Sequence, residues 1–200
     1  MRVLVACEFS GVVRDAFRSM GHDAFSCDIL PCEGDPTFHL HGDVRDFLNL
    51  EWNLLIAHPP CQYLSYAATQ YWNRPGRARL RHTAMAFFKL LYNAPVKYVC
   101  VENPVGYPNT IFRKPDQIFH PYYFGDPYMK RTCLWLRGLP KLTYLPDPIK
   151  PEPVAYYKTG KSKGKAIHWC EYLKGFEGGH DRSRTFPSVA TAMATQWGTL

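Results

Sequence analysis

The sequence predicts an α/β fold built on a largely parallel sheet, and three observations carry that expectation. The chain opens with a strand, loop, helix and second strand in succession. Two later apolar runs each stop abruptly at polar residues and proline, as strands of an open α/β sheet do where they meet a ligand crevice. The composition, 46% hydrophobic, 20% charged and 15% aromatic over 200 residues, is that of one globular domain with a small appendage and excludes disordered and fibrous classes.

Val3 to Cys7 is a short β-type run, Glu8 to Gly11 a turn, and Val12 to Met20 has helical spacing with Val13, Phe17 and Met20 on one face. Gly21 stops that helix, and Ala24-Phe25-Ser26-Cys27 forms a second strand ending in Asp28, which completes a βαβ-type unit. After a polar stretch with Pro31, Gly34 and Pro36, Asp43 begins a turn, and Trp52 to Ala57 reads as a buried strand running into His58-Pro59-Pro60-Cys61. From Arg77 to Tyr92, residues Ala84, Phe87, Phe88 and Leu91 make the apolar face of a helix that Pro95 ends. Tyr98 to Val101 is the next strand and delivers Glu102-Asn103-Pro104. Thr132 to Leu136 is another, followed by a passage with Pro146, Pro148, Pro151 and Pro153 that argues against regular structure. Pro187 opens a last helical segment, Val189 to Trp197, and no internal repeat is visible.

Lys and Arg number 24 against 17 Asp and Glu, a formal charge of +7 that favours a polyanionic partner. Lys158, Lys161, Lys163 and Lys165 lie in one glycine-containing loop suited either to plain solvation or to phosphate contact. Gly160 and Gly164 have the wrong spacing for a nucleotide-binding P-loop, so ATP binding is not expected. Val3 to Cys7 is too short for a signal peptide's apolar region, and no later stretch is long enough to span a membrane. The seven cysteines read as free thiols of a reducing cytoplasm. They include no Cys-x-x-Cys, and Cys27, Cys32, His39 and His41 form only a loose group, so no metal is expected.

A cysteine directly after Pro-Pro at the end of a buried strand sits in a stiff loop, which suits a nucleophile, although free cysteine is commonly a buried hydrophobe. Glu102 at a neighbouring strand end strengthens the catalytic reading of Cys61, because a glutamate there can protonate or hydrogen-bond a ring nitrogen while the thiolate attacks the adjacent carbon. A third element is the turn Glu8-Phe9-Ser10-Gly11, with Asp28 ending the second strand roughly twenty residues later, a layout that binds a nucleoside cofactor. Asp28 can equally cap the turn leading to Pro31.

Taken in order, Phe9-Ser10-Gly11, Asp28, Gly42-Asp43-Val44, Pro59-Pro60-Cys61-Gln62 and Glu102-Asn103-Pro104 resemble the signature series of the cytosine-C5 DNA methyltransferases, especially their small divergent phage-type members. The resemblance covers roughly the first two thirds of the chain. It implies a class I methyltransferase, a Rossmann-like fold with helices on both faces of the sheet. Phe9, Ser10 and Gly11, with Ile29, Val44 and Pro59 beside them, would bind S-adenosyl-L-methionine, Asp28 its ribose and Asp43 its adenine. Cys61 would attack C6 of a cytosine in duplex or single-stranded DNA, and Glu102 would stabilise the ring at N3. Pro60, Gln62, Asn103 and Pro104 would shape the base pocket. The base would have to be extruded from the duplex or taken from a single strand.

The chain departs from the family's pattern in several places. Val13 and Arg14 stand where two further glycines are usual, so the cofactor turn must take another shape. The later basic motif is similar to Gly125-Asp126-Pro127-Tyr128-Met129-Lys130-Arg131-Thr132, with either Lys130 or Arg131 placed to hold the cytosine O2 or a phosphate. Arg182 to Ala190 is similar to the final motif but lacks its Gly-Asn pair. The reading divides the chain into a catalytic core, 1–142, a short Pro- and Lys-rich segment, 143–179, in place of a target-recognition region, and a returning segment, 180–200. Little room for base readout implies a short or relaxed target, affinity from phosphate contacts by the four lysines and the arginines from Arg74 to Arg81, or specificity from a homodimer or accessory protein. Trp72 and Tyr71 beside those arginines suit either packing or a wedge against a base. Rival readings are an amino-group methyltransferase, against which His58 and Cys61 argue, an enzyme acting on free nucleotide or RNA, and a non-catalytic DNA-binding or decoy protein of the same fold.

Overall fold

In the computed structural model, which describes residues 1–173 and 183–200, nine strands and five helices can be followed among the described residues. The strands are β1 (Arg2–Ala6), β2 (Asp23–Asp28), β3 (His39–His41), β4 (Leu54–Ala57), β5 (Tyr98–Pro104), β6 (Gln117–Phe119), β7 (Thr132–Arg137), β8 (Ala155–Tyr156) and β9 (Ala166–Ile167). The helices are α1 (Val12–Ser19), α2 (Arg77–Tyr92), α3 (Pro108–Ile111), α4 (Trp169–Tyr172) and α5 (Pro187–Trp197).

Seven strands form one sheet in the order β3-β2-β1-β4-β5-β7-β6. The first five run parallel, and β7 and β6 pair antiparallel. This is the largely parallel α/β sheet with helices on both faces that the sequence led us to expect. Side chains alternate between two cores. Val3, Val5, Leu54, Ile56 and Leu134 pack under α1 and α5, where Phe17, Met193 and Trp197 are fully buried. Leu4, Leu55, Val99, Val101 and Trp135 pack under α2 through Phe88 and Leu91. Near-continuous apolar runs in β1 and β4 follow from that two-sided burial.

Among the elements that differ from the sequence expectation, two bear on the site and its surroundings. Strand β5 does not stop at Val101: parallel pairing with β4 ends at Ala57 opposite Val101, while antiparallel pairing with β7 continues to Pro104 opposite Thr132. Proline is tolerated there because β4 is no longer alongside to need its missing N–H. The Lys-rich passage is also not a plain loop. Strands β8 and β9 form a two-stranded antiparallel hairpin across it, closed by Tyr157 N–H donating to the Lys165 carbonyl at 3.0 Å and Gly164 N–H donating to the Tyr157 carbonyl at 2.8 Å. None of the described helices is long and apolar enough to cross a membrane.

Candidate active site

The polar residues converge where β1, β4 and β5 end. After β1, Glu8 turns inward and is 4% exposed. Its carboxylate accepts the Val13 N–H at 2.7 Å and the Arg14 N–H at 3.2 Å, so it caps α1. Gly11 precedes that helix in the left-handed region, φ 74°. Arg14 explains why the turn can dispense with further glycines: it is fully buried, and its guanidinium lies under Gly11 while donating to Ser26 Oγ at 3.1 Å, Cys32 Sγ at 3.4 Å and Asp15 at 2.7 Å. Phe9 and Ser10 are half-buried, and the Phe9 carbonyl accepts the Glu33 N–H at 3.0 Å.

Asp28 ends β2 half-buried, with Oδ1 accepting the Leu30 N–H at 2.9 Å. The turn-capping role is therefore present. Beside it Ile29 is 73% exposed, an apolar surface on the rim of the first turn. Asp43 caps its own turn and is held by Arg45 through a two-oxygen ion pair, which brings its carboxyl down to about 2. Val44 is a core residue packed with Leu48 and Trp52.

The loop after β4 carries the predicted nucleophile. Pro59 is buried, whereas Pro60, Cys61 and Gln62 are exposed. This loop is laced to the segment after β5. Asn103, 1% exposed, donates from Nδ2 to the Pro59 carbonyl at 2.8 Å. Tyr66 N–H reaches the Val105 carbonyl at 3.2 Å, and Tyr107 N–H reaches the Leu64 carbonyl at 2.7 Å. Gly106 permits the crossing, since a Cβ there would fall inside the van der Waals shell of the Leu64 carbonyl. On the outer side Arg77 donates to the Gln62 carbonyl at 3.3 Å and lies over the Tyr63 ring at 4.6 Å.

Glu102 extends from β5 next to His58, whose Nδ1 is 3.2 Å from Oε2. Burial would raise the Glu102 carboxyl, but the His58 hydrogen bond and the Lys130 charge outweigh it and hold the group below its ordinary value. Glu8 goes the other way: burial pushes it up despite His58 and its two backbone N–H partners. His58, Glu102, Lys130 and Thr132, with Thr185, Phe186 and Met193 from the C-terminal segment, line a cavity of about 20 Å³. Of the two candidate cations, Lys130 thus faces Glu102, while Arg131 is exposed and its charge is felt at His120.

The structure therefore brings Glu102, Lys130, Asn103 and the Pro59 to Gln62 loop together. It places Phe9, Ser10, Gly11, Asp28 and Ile29 along the neighbouring strand ends. Pro104 is drawn into the sheet, and Lys158, Lys161, Lys163 and Lys165 are exposed around the turn of the β8–β9 hairpin. Trp72 packs between Tyr66, Tyr107 and Arg81, with Arg81 at 4.5 Å from its ring, so the packing role holds for that tryptophan. His39 and His41 point their Nε2 atoms at the Leu30 and Ile29 carbonyls, 3.1 and 3.0 Å away. Among the described residues no group of three or more His, Cys, Asp or Glu is arranged to hold a metal. Arg182 and the 179/180 boundary lie outside the described residues. The sequence reading gave no role to His58 in the chemistry, nor to Glu8 or Gly106.

No protein-family model matches the chain, and no curated protein sequence does. Solved structures similar to it include the Entamoeba histolytica methyltransferase EhMeth, with 15% identity, TM-score 0.47 and coverage of 76% of this chain and 57% of that one. Another is the S. pombe Dnmt2 methyltransferase, with 17% identity, TM-score 0.47 and coverage of 100% and 66%. A third is a DNMT2 mutant from Spodoptera frugiperda, with 14% identity, TM-score 0.42 and coverage of 88% and 60%. The chain spans about three fifths of the length of the solved structures it matches.

Proposed function

We propose that the chain is a compact S-adenosylmethionine-dependent methyltransferase that acts on C5 of cytosine in DNA, with little sequence readout. The observation that carries this reading is the lacing of the exposed Cys61 loop to β5 and the segment that follows it, which ties the thiol-bearing loop to the strand that carries Glu102.

The residues along β1 and β2 fit the cofactor. Asp28 keeps one carboxylate oxygen for a ribose, and the exposed Ile29 offers an apolar surface for an adenine, while Gly11 makes room for the Arg14 guanidinium that shapes the turn. Asp43 fits less well, because an adenine contact there must displace Arg45. S-adenosylmethionine supplies an electrophilic methyl group. This chain's residues do the rest. The Cys61 thiolate adds to C6 of the base, Glu102 holds N3, and the C5 carbon so activated takes the methyl group before the C5 proton and Cys61 leave. Lys130 balances charge opposite Glu102. Phosphates would be held by the four hairpin lysines and by Arg74 and Arg79, and specificity by a second copy or an accessory protein.

The test is incubation of the protein and of Cys61→Ala with S-adenosylmethionine and either duplex DNA, single-stranded DNA or RNA, followed by nucleoside mass spectrometry. We expect 5-methylcytosine from DNA with the native protein and none with the variant. Cys61 is exposed, so the variant's folding stability should stay within about 0.5 kcal/mol. Methylation of exocyclic amines alone, or normal activity of Cys61→Ala, overturns the mechanism, and 5-methylcytosine in RNA only moves the substrate.

A further inference from the structure

His58 is nearly enclosed, with a side chain 8% exposed, and its Nδ1 points at Glu102. Among the described residues, neither its Nε2 nor the Glu102 Oε1, both buried, has a hydrogen-bond partner. Both residues line the same small cavity. The charged groups facing this pair come from three elements: Glu8 from the turn after β1, Glu102 from β5 and Lys130 from the segment before β7. The Cys100 and Cys133 thiols feel the Glu102 charge from within the sheet, and the lining from the C-terminal segment, Thr185, Phe186, Val189 and Met193, is uncharged.

That arrangement poses a chemical requirement. A carboxylate cannot donate to N3 of cytosine, whose lone pair repels it, so an attack that moves electrons onto N3 needs a proton brought to Glu102. We propose that His58 is the positioning residue that stores this proton at Nδ1 and passes it through Glu102 to N3 of the target base. The inference rests on the cytosine-C5 reading above.

The step balances. As Cys61 Sγ bonds to C6, the C5–C6 π pair moves to C4–C5 and the C4–N3 π pair moves to N3. N3 takes a proton from Glu102, and Glu102 takes one from His58 Nδ1. When C5 accepts the methyl group the C4–N3 double bond reforms, and the proton returns to the pair by the same route. Lys130 keeps Glu102 from retaining the proton itself.

Two measurements test it. The first is an NMR titration of the ¹⁵N-labelled His58 ring in the native protein and in Glu102→Gln. Loss of the carboxylate that pairs with Nδ1 should shift the Nδ1 resonance and open its proton to exchange with solvent. An unchanged Nδ1 resonance overturns the proposal whether or not the protein methylates anything. The second is the single-turnover methylation rate of duplex DNA against pH for the native protein, His58→Gln and His58→Asn. Both amides keep a donor for Glu102 but hold no transferable proton, so the rate should drop about 10² to 10⁴-fold. The native fall in rate towards alkaline pH should also vanish. A His58→Gln protein with the native rate and profile overturns the proposal and leaves the C5 reading standing. A native protein that methylates no cytosine overturns that reading and the delivery step with it, even where the NMR shift is found.

Discussion

Glu8 and Glu102 are carboxylates that both feel the His58 imidazole, and they are shifted in opposite directions. Glu8 is raised, so the folded state binds its proton more readily than the unfolded chain does. Its contribution to stability is present below the ordinary carboxylate value and lost as pH rises through the raised one. Glu102 is lowered, so its contribution is present above the ordinary value and lost as pH falls through the lowered one. Urea unfolding across the acid range should show both. Glu8→Gln should remove a loss of stability that native protein suffers on the way up in pH, and Glu102→Gln should make acid destabilisation less steep. Parallel curves for native protein and both variants would mean that neither group is linked to folding. Cys61 and Glu102 were legible in the sequence because each follows an apolar run and stands in a recognisable short motif. Glu8 and His58 were not, because their partners are set by register between strands that are 44 residues apart in the case of His58 and Glu102, and by a helix N-terminus that a side chain reaches only once α1 is in place.

The elements hold these side chains through two close approaches. One is the crossing of the Cys61 loop with the segment after β5 at Gly106. Gly106→Ala must push the Leu64 carbonyl away, and we expect a destabilisation of about 1–3 kcal/mol, the usual range for forcing atoms into a packed site. On the proposed function, methylation should suffer more than stability, because the same push displaces the loop that carries Cys61. Hydrogen exchange at Leu64, Tyr66 and Tyr107 checks it: unchanged protection there would show that the crossing does not depend on the glycine. The other approach is α5 on α1, where Trp197 is fully buried and its Nε1 donates to the Pro140 carbonyl at 3.0 Å. Trp197→Ala should cost about 3–5 kcal/mol in chemical denaturation. Helices α1, α2 and α5 and strands β1, β2, β4, β5 and β7 were legible because apolar periodicity and proline mark them directly. The extension of β5 through Pro104, the three-residue strands β3 and β6 and the β8–β9 hairpin were hidden, since each exists only through pairing with another segment.

At the scale of the whole molecule, where the formal charge is +7, two groups of basic residues stand out among the described residues. One is the hairpin with Lys158, Lys161, Lys163 and Lys165, and the other is the arginine-rich start of α2, where Arg77 reaches the Cys61 loop itself. If the hairpin lysines hold phosphates, replacing all four by Gln should flatten the dependence of log binding constant on log salt by about 0.9 for each phosphate no longer neutralised. The methylation rate at saturating DNA should change little. A salt dependence equal to that of the native protein would assign the binding to the arginines instead. The sheet itself has a consequence for how the protein behaves in concentrated solution. Its two borders, β3 and β6, are three residues each, so almost none of the hydrogen-bonding capacity of seven strands is offered at a free margin. Another chain finds no template long enough to zip onto, so copies brought close together should not fuse edge to edge through this sheet.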